Sequence, residues 1–114
     1  MLVAKKRITK EKEFEKIFGK HEVLRAGSLS LRICPNGLDF SRFGFVVSKK
    51  VSKKAVVRNK IRRRLSAIVA DKMDEIKPGY DVILSAMIGA EGKGYGDLEN
   101  DLLVLIKKAK LLKK

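Results

Sequence analysis

Between Gly27 and Glu75 the spacing of apolar residues changes from every second position to every third or fourth, and this change restricts the chain to few folds. Ser28-Leu29-Ser30-Leu31-Arg32-Ile33-Cys34 alternates strictly, so Leu29, Leu31 and Ile33 share one face of a strand. Pro35-Asn36-Gly37 follows as turn chemistry. Phe43 to Val47 is an aromatic and β-branched run, expected to pair back on the first strand as a hairpin. From Lys54 to about Glu75 the period is helical: Val57, Ile61, Leu65, Ile68 and Lys72 fall at spacings of four, four, three and four. Only Lys72 is polar, and its stem can lie along an apolar surface. An alternating sheet and an amphipathic helix bury their apolar sides against each other, which makes the chain α+β.

The flanks extend this plan. Thr9 is placed to cap a helix whose Phe14, Ile17 and Phe18 share a face, and Gly19 is a natural stop. Glu22 to Ala26 reads as a short extended piece. Pro78-Gly79 ends the long helix, and Tyr80 to Ile88 reads as a third long strand centred on Val82-Ile83-Leu84. Gly89 to Gly96 holds four glycines and reads as a flexible loop; no Ser or Thr follows Lys93, so it is not a P-loop. Asp97 can cap a last helix with Leu98, Leu102, Leu105 and Ala109 in one stripe, and the closing lysines suit its negative end. The expectation is one domain over 1–114, in the order α-β-β-β-α-β-α, with a mixed sheet packed against helices.

Charge narrows the function. The 114 residues carry 27 Lys and Arg against 13 Asp and Glu, a net +14. Such a chain repels itself unless a polyanion neutralises it. Phe40 to Ala70 contains no acidic residue, yet it holds Arg42, Lys49, Lys50, Lys53, Lys54, Arg58, Lys60, Arg62, Arg63 and Arg64. A solvated helix ordinarily mixes signs, because opposite charges four apart stabilise it and like charges destabilise it. Here Arg58 and Arg62, and Lys60 and Arg64, stand at like-charged spacing. On a helical wheel Asn59, Arg62, Arg63 and Ser66 lie opposite the apolar arc, with Arg58 and Lys60 on its flanks. Arginine forks suit phosphate, and a helix N-terminus offers free N–H groups to it. Nucleic acid is the indicated partner. A membrane surface fits poorly, because the apolar side of 57–68 is aliphatic and is needed by the sheet.

Catalysis by the chain's own side chains has little support. One His and one Cys form no nucleophile–base set and no zinc site. His21 reads as solvated, Cys34 as a strand-end thiol, and Asp71, Asp74 and Glu75 as a solvated helix end. A single cysteine and a charged start without a long apolar run give the expectation of a cytoplasmic protein. Phe14 and Phe18 are either core residues or a platform on which bases stack.

Phe43-Gly44-Phe45-Val46-Val47-Ser48-Lys49-Lys50, followed by Ala55-Val56-Val57-Arg58-Asn59-Lys60-Ile61-Arg62-Arg63, resembles the bacterial ribonuclease P protein subunit. That family shows a strand ending in Ser-Lys-Lys, then an Arg-Asn signature on a helix. Phe14-x-x-x-Phe18 and Gly79-Tyr80-Asp81-Val82-Ile83 extend the resemblance over nearly the whole chain. It implies a left-handed crossover in the fold. It also implies that an RNA subunit using Mg²⁺ performs the cleavage, with the protein as its cofactor and no covalently bound group of its own. Partners would be the catalytic RNA and the single-stranded 5′ leader of precursor tRNA, with no obligate protein partner. Arg58, Asn59, Lys60, Arg62 and Arg63 would contact the catalytic RNA, with Lys53, Lys54 and Arg64 at the edge of the patch. Phe14, Phe18, Arg32, Lys49 and Lys50 would line the leader cleft. Ser66-Ala67 and Lys53-Lys54 depart from the family pattern. The alternative is a ribosomal or other structural RNA-binding protein of the same fold.

Overall fold

The computed structural model describes residues 23–112. The helix expected after Thr9, with Phe14 and Phe18, and His21 lie outside them. The described elements are β1 (Leu24–Ala26), β2 (Leu29–Pro35), β3 (Arg42–Val47), α1 (Ala55–Lys72), a 3₁₀ turn (Met73–Glu75), β4 (Tyr80–Ala86), a second 3₁₀ turn (Ala90–Gly92) and α2 (Tyr95–Lys108). The third long strand therefore stops two residues short of its expected end. The long helix closes in the 3₁₀ turn.

The four strands form one open mixed sheet in the order β1-β2-β4-β3. β1 and β2 form an antiparallel hairpin, β2 and β4 are antiparallel, and β3 and β4 are parallel. The expected β2–β3 hairpin is thus wrong: β4 inserts between the two. The physical reason is burial. Val82, Ile83 and Leu84 are fully buried, so this segment takes the centre of the sheet, with a strand on each side of it. The loop from Asn36 to Ser41 then spans the width of a strand instead of closing a tight turn. It is tied to the approach of β4 by bonds from Asn36 N–H to the Gly79 carbonyl (2.9 Å), from Ser41 Oγ to the Lys77 carbonyl (2.6 Å) and from Tyr80 N–H to Ser41 Oγ (3.1 Å). Parallel neighbours need a crossover, and α1 supplies it.

The register confirms the alternation read from β2. Leu29–Ala86–Val47, Leu31–Leu84–Phe45 and Ile33–Val82–Phe43 form three cross-strand rows on the core face. Ile61, Leu65, Ile68 and Val69 of α1 and Leu98, Leu102, Leu105 and Ile106 of α2 close over that face. The outer face carries the rows Ser30–Ser85–Val46, Arg32–Ile83–Gly44 and Cys34–Asp81–Arg42.

α2 begins at Tyr95, two residues before the expected cap. Gly94 is its N-cap, and Asp97 sits in the first turn, accepting the Gly94 N–H at 3.4 Å. Asp101, on the same helix, ties it to the β1–β2 turn. One carboxylate oxygen accepts both the N–H (3.2 Å) and the hydroxyl (3.3 Å) of Ser28. Gly27 lies directly beneath, with φ of +56°, and a Cβ there would come within 2.3 Å of Asp101. Gly27→Ala is therefore expected to lose about 2–3 kcal/mol, from left-handed backbone strain plus displacement of the Asp101 bonds. Chemical denaturation would check this, and an unchanged midpoint would rule it out.

Candidate nucleic-acid interface

β3 delivers the chain into the turn Ser48–Val51, closed by a bond from Val51 N–H to the Ser48 carbonyl (3.1 Å). Val51 is buried and anchors the turn, while Ser48, Lys49 and Lys50 are exposed. Ser52 Oγ accepts the Lys54 N–H at 3.2 Å, and the Arg58 guanidinium donates to the Ser52 carbonyl at 2.9 Å. These two bonds fix the bend against the start of α1. Lys54 is the N-cap, no side chain caps it, and the first turn holds no acid. The first N–H groups of the helix therefore face an anion-favouring field, crowded by lysines.

The expected contact residues divide by exposure. Lys49, Lys50, Lys53, Lys54, Asn59, Lys60 and Arg63 are exposed, together with Val56. Arg58, Arg62 and Arg64 are half-buried. Arg62 Nη2 donates to Asn59 Oδ1, so these two side chains present a joined surface. Arg64 Nη1 donates to the Lys93 carbonyl at 2.9 Å, which turns it toward the loop before α2 and away from the exposed cations. Ser66, expected opposite the apolar arc, is buried with Val69, so the buried side of α1 is wider than the wheel implied. Lys72 keeps its stem buried as expected and adds an ion pair to Glu99 at 3.3 Å.

Three ion pairs are formed among the described residues: Arg42–Asp81, Lys72–Glu99 and Lys93–Asp101. None involves Lys49, Lys50, Lys53, Lys54, Arg58, Lys60, Arg62, Arg63 or Arg64. Arg42 alone of the acid-free run forms an ion pair among the described residues. Its Nε and Nη2 grip the Asp81 carboxylate at 2.9 and 2.6 Å, and Asn36 Nδ2 reaches the same group at 2.8 Å. An isolated Asp in an apolar strand was the signal for this cluster, which pattern reading passed over.

Arg32 lies mid-sheet on the outer face, in the row of Ile83 and Gly44. Lys49 and Lys50 lie beyond the sheet's end, beside the start of α1. Lys50 also borders an open concavity of about 310 Å³ with Gly27, Ser48, Met87 and Ile88. No group of three or more His, Cys, Asp or Glu is placed to hold a metal ion among the described residues. No described helix is long and apolar enough to cross a membrane.

Residues 2–110 match the family model described as Ribonuclease P. The chain belongs to the ribonuclease P protein family. It is 36% identical over 111 residues to the ribonuclease P protein component of Syntrophomonas wolfei, covering 97% of this chain and 92% of that one. It is 35% identical to that of a Pseudanabaena species, covering 98% and 97%. The fold is similar to the solved RNase P protein of Staphylococcus aureus, with a TM-score of 0.86 at 29% identity over 95% of this chain and 98% of that one. It is also similar to the RNase P protein of Thermotoga maritima, with a TM-score of 0.81 at 26% identity over 90% and 96%. Membership makes the chain an RNA-binding cofactor within the ribonuclease P holoenzyme, and so a participant in tRNA processing. It also decides against the ribosomal alternative, which charge alone left open.

Proposed function

We propose that the whole chain, 1–114, acts as one cytoplasmic RNA-binding domain that holds ribonuclease P's catalytic RNA on the bend 52–54 and the exposed side of α1. Lys53, Lys54, Asn59, Lys60 and Arg63 contact the RNA directly. Arg58 and Arg62 contact it from half-buried positions, and Arg64 shapes the edge. The 5′ leader of precursor tRNA lies along the outer side of the sheet, past Arg32, with Phe14, Phe18, Lys49 and Lys50 as its further contacts. The observation that carries this reading is that Lys49, Lys50, Lys53, Lys54, Arg58, Lys60, Arg62 and Arg63 stand in a run without acids, within the family's signature, and form no ion pair among the described residues. Such a surface lowers the repulsion between RNA phosphates and releases their counterions on binding.

Scission belongs to the RNA. Mg²⁺ bound by the RNA would supply the activated water. The protein brings leader and catalytic RNA together and reduces the bulk Mg²⁺ needed to do so. The test is reconstitution with the cognate RNA. The pair is expected to cleave precursor tRNA at low Mg²⁺, the RNA alone to need high Mg²⁺, and RNA-free protein to cleave nothing. Preference for precursor over mature tRNA should vanish when the leader is shortened. Cleavage by rigorously RNA-free protein would overturn the division of labour, and equal affinity for both tRNAs would overturn the leader assignment.

A further inference from the structure

At the other end of α1, Lys77, Lys107 and Lys110 surround an open concavity of about 330 Å³ with Leu112. Backbone pairing holds it in shape. Lys77 N–H donates to the Leu111 carbonyl at 2.7 Å, and Ile76 and Leu112 form an antiparallel bridge. None of the three lysines forms an ion pair among the described residues.

The helix dipole accounts for Lys107, in the last turn of α2. It also favours Lys110, next to the C-cap Ala109, but it accounts neither for Lys77, which comes from the segment before β4, nor for a lysine on the left-handed backbone of position 110. Lys110 has φ of 58°, the left-handed conformation. It occupies the position of a Schellman motif that glycine normally fills, with Leu111 N–H bonded to the Ile106 carbonyl (3.0 Å) and Lys110 N–H to the Lys107 carbonyl (3.1 Å). A lysine there carries backbone strain that glycine would avoid. Those two bonds also occupy carbonyls that would otherwise repel an anion. Three cations from two separate segments thus converge without an ion-pair partner among the described residues, one of them on a strained backbone.

We propose that this concavity is a second RNA-backbone site, taking phosphodiester groups of an RNA segment other than the one held at the start of α1. The proposal rests on the RNA-binding reading above. Compact ammonium groups without an arginine fork fit point contact with phosphate rather than the reading of bases. The 18 residues of α1 span about 27 Å, well beyond a Debye length of roughly 10 Å. The two patches therefore do not act as one field and engage separate stretches of a folded RNA.

The experiment measures affinity of the full chain for the cognate ribonuclease P RNA over a range of salt. A Lys77→Gln, Lys107→Gln, Lys110→Gly variant is expected to bind roughly tenfold to hundredfold more weakly at about 0.1 M salt, with a salt slope shallower by about two to three units. Lys110→Gly alone should melt at a higher temperature yet bind more weakly, opposite shifts that a purely structural lysine would not produce. A Lys60→Gln, Arg63→Gln variant is measured alongside. Its losses should add to those of the triple variant when the two sets are combined. If Lys60→Gln, Arg63→Gln weakens binding while the lysine triple changes neither affinity nor slope, the second site is overturned and the first stands. If neither set changes the slope, both assignments fail.

Discussion

Asp81→Ala is expected to destabilise the fold by about 3–5 kcal/mol, the usual cost of removing one partner of a buried ion pair. Asp81 is only 8% exposed, and both its oxygens are engaged. Oδ1 accepts from Arg42 Nε and Asn36 Nδ2, and Oδ2 accepts from Arg42 Nη2 at 2.6 Å. The substitution removes the carboxylate that the largely buried Arg42 guanidinium and the Asn36 amide both donate to. It does so in the row Cys34–Asp81–Arg42, where β4 meets both of its neighbours. The Asn36–Ser41 loop, which makes room for β4, loses one of its ties at the same time. An Arg42→Met, Asp81→Leu pair should recover most of the loss, because both charges then disappear together. Urea denaturation of Arg42→Met, Asp81→Leu and the pair gives the coupling directly. A loss below about 1 kcal/mol for Asp81→Ala would show that the pair is not what holds β3 against β4.

This cluster also marks where sequence reading stopped. Alternation at 28–34 gave the correct core face of β2 because period two is a local property. Strand order is not local. Phe43–Val47 and Pro35-Asn36-Gly37 together satisfy every nearby criterion for a hairpin. The competing arrangement is decided by residues about 40 positions away, through Val82-Ile83-Leu84 and the bonds that Asn36 and Ser41 make to 77–81. Ser66 was misplaced for a related reason: a wheel ranks positions by one helix's own pattern, whereas its burial is fixed by what packs around it. The basic surface was legible because it depends on composition. A run without acids remains a run without acids however the chain folds, and only its subdivision needed coordinates. Arg42 is drawn inside, Arg64 is turned toward Lys93, and the lysines of the bend are left outside. Asp101 over Gly27 and the lysines around Leu112 each join segments distant in the chain, and no spacing rule connects them.

Neutralising Lys53, Lys54, Lys60 and Arg63 together, each to Gln, is expected to lower affinity for the catalytic RNA by roughly a thousandfold. The figure follows from about 1 kcal/mol for each exposed phosphate contact. The slope of log affinity against log salt should become shallower by about three to four units, since each lost contact frees one fewer counterion. The fold should not suffer. These side chains are exposed and none forms an ion pair among the described residues, so removing them relieves repulsion within α1 and at its positive end. Thermal stability is expected to hold or rise slightly as binding falls. Arg58→Gln should behave differently. Its guanidinium also holds the Ser52 carbonyl, so the bend loosens and the melting temperature drops along with affinity. The contrast separates cations that only meet RNA from one that also shapes the surface meeting it. An unchanged salt slope for the four-residue variant would remove this face from the interface. Early melting of that variant would show that its cations are held by the protein itself, contrary to their exposure.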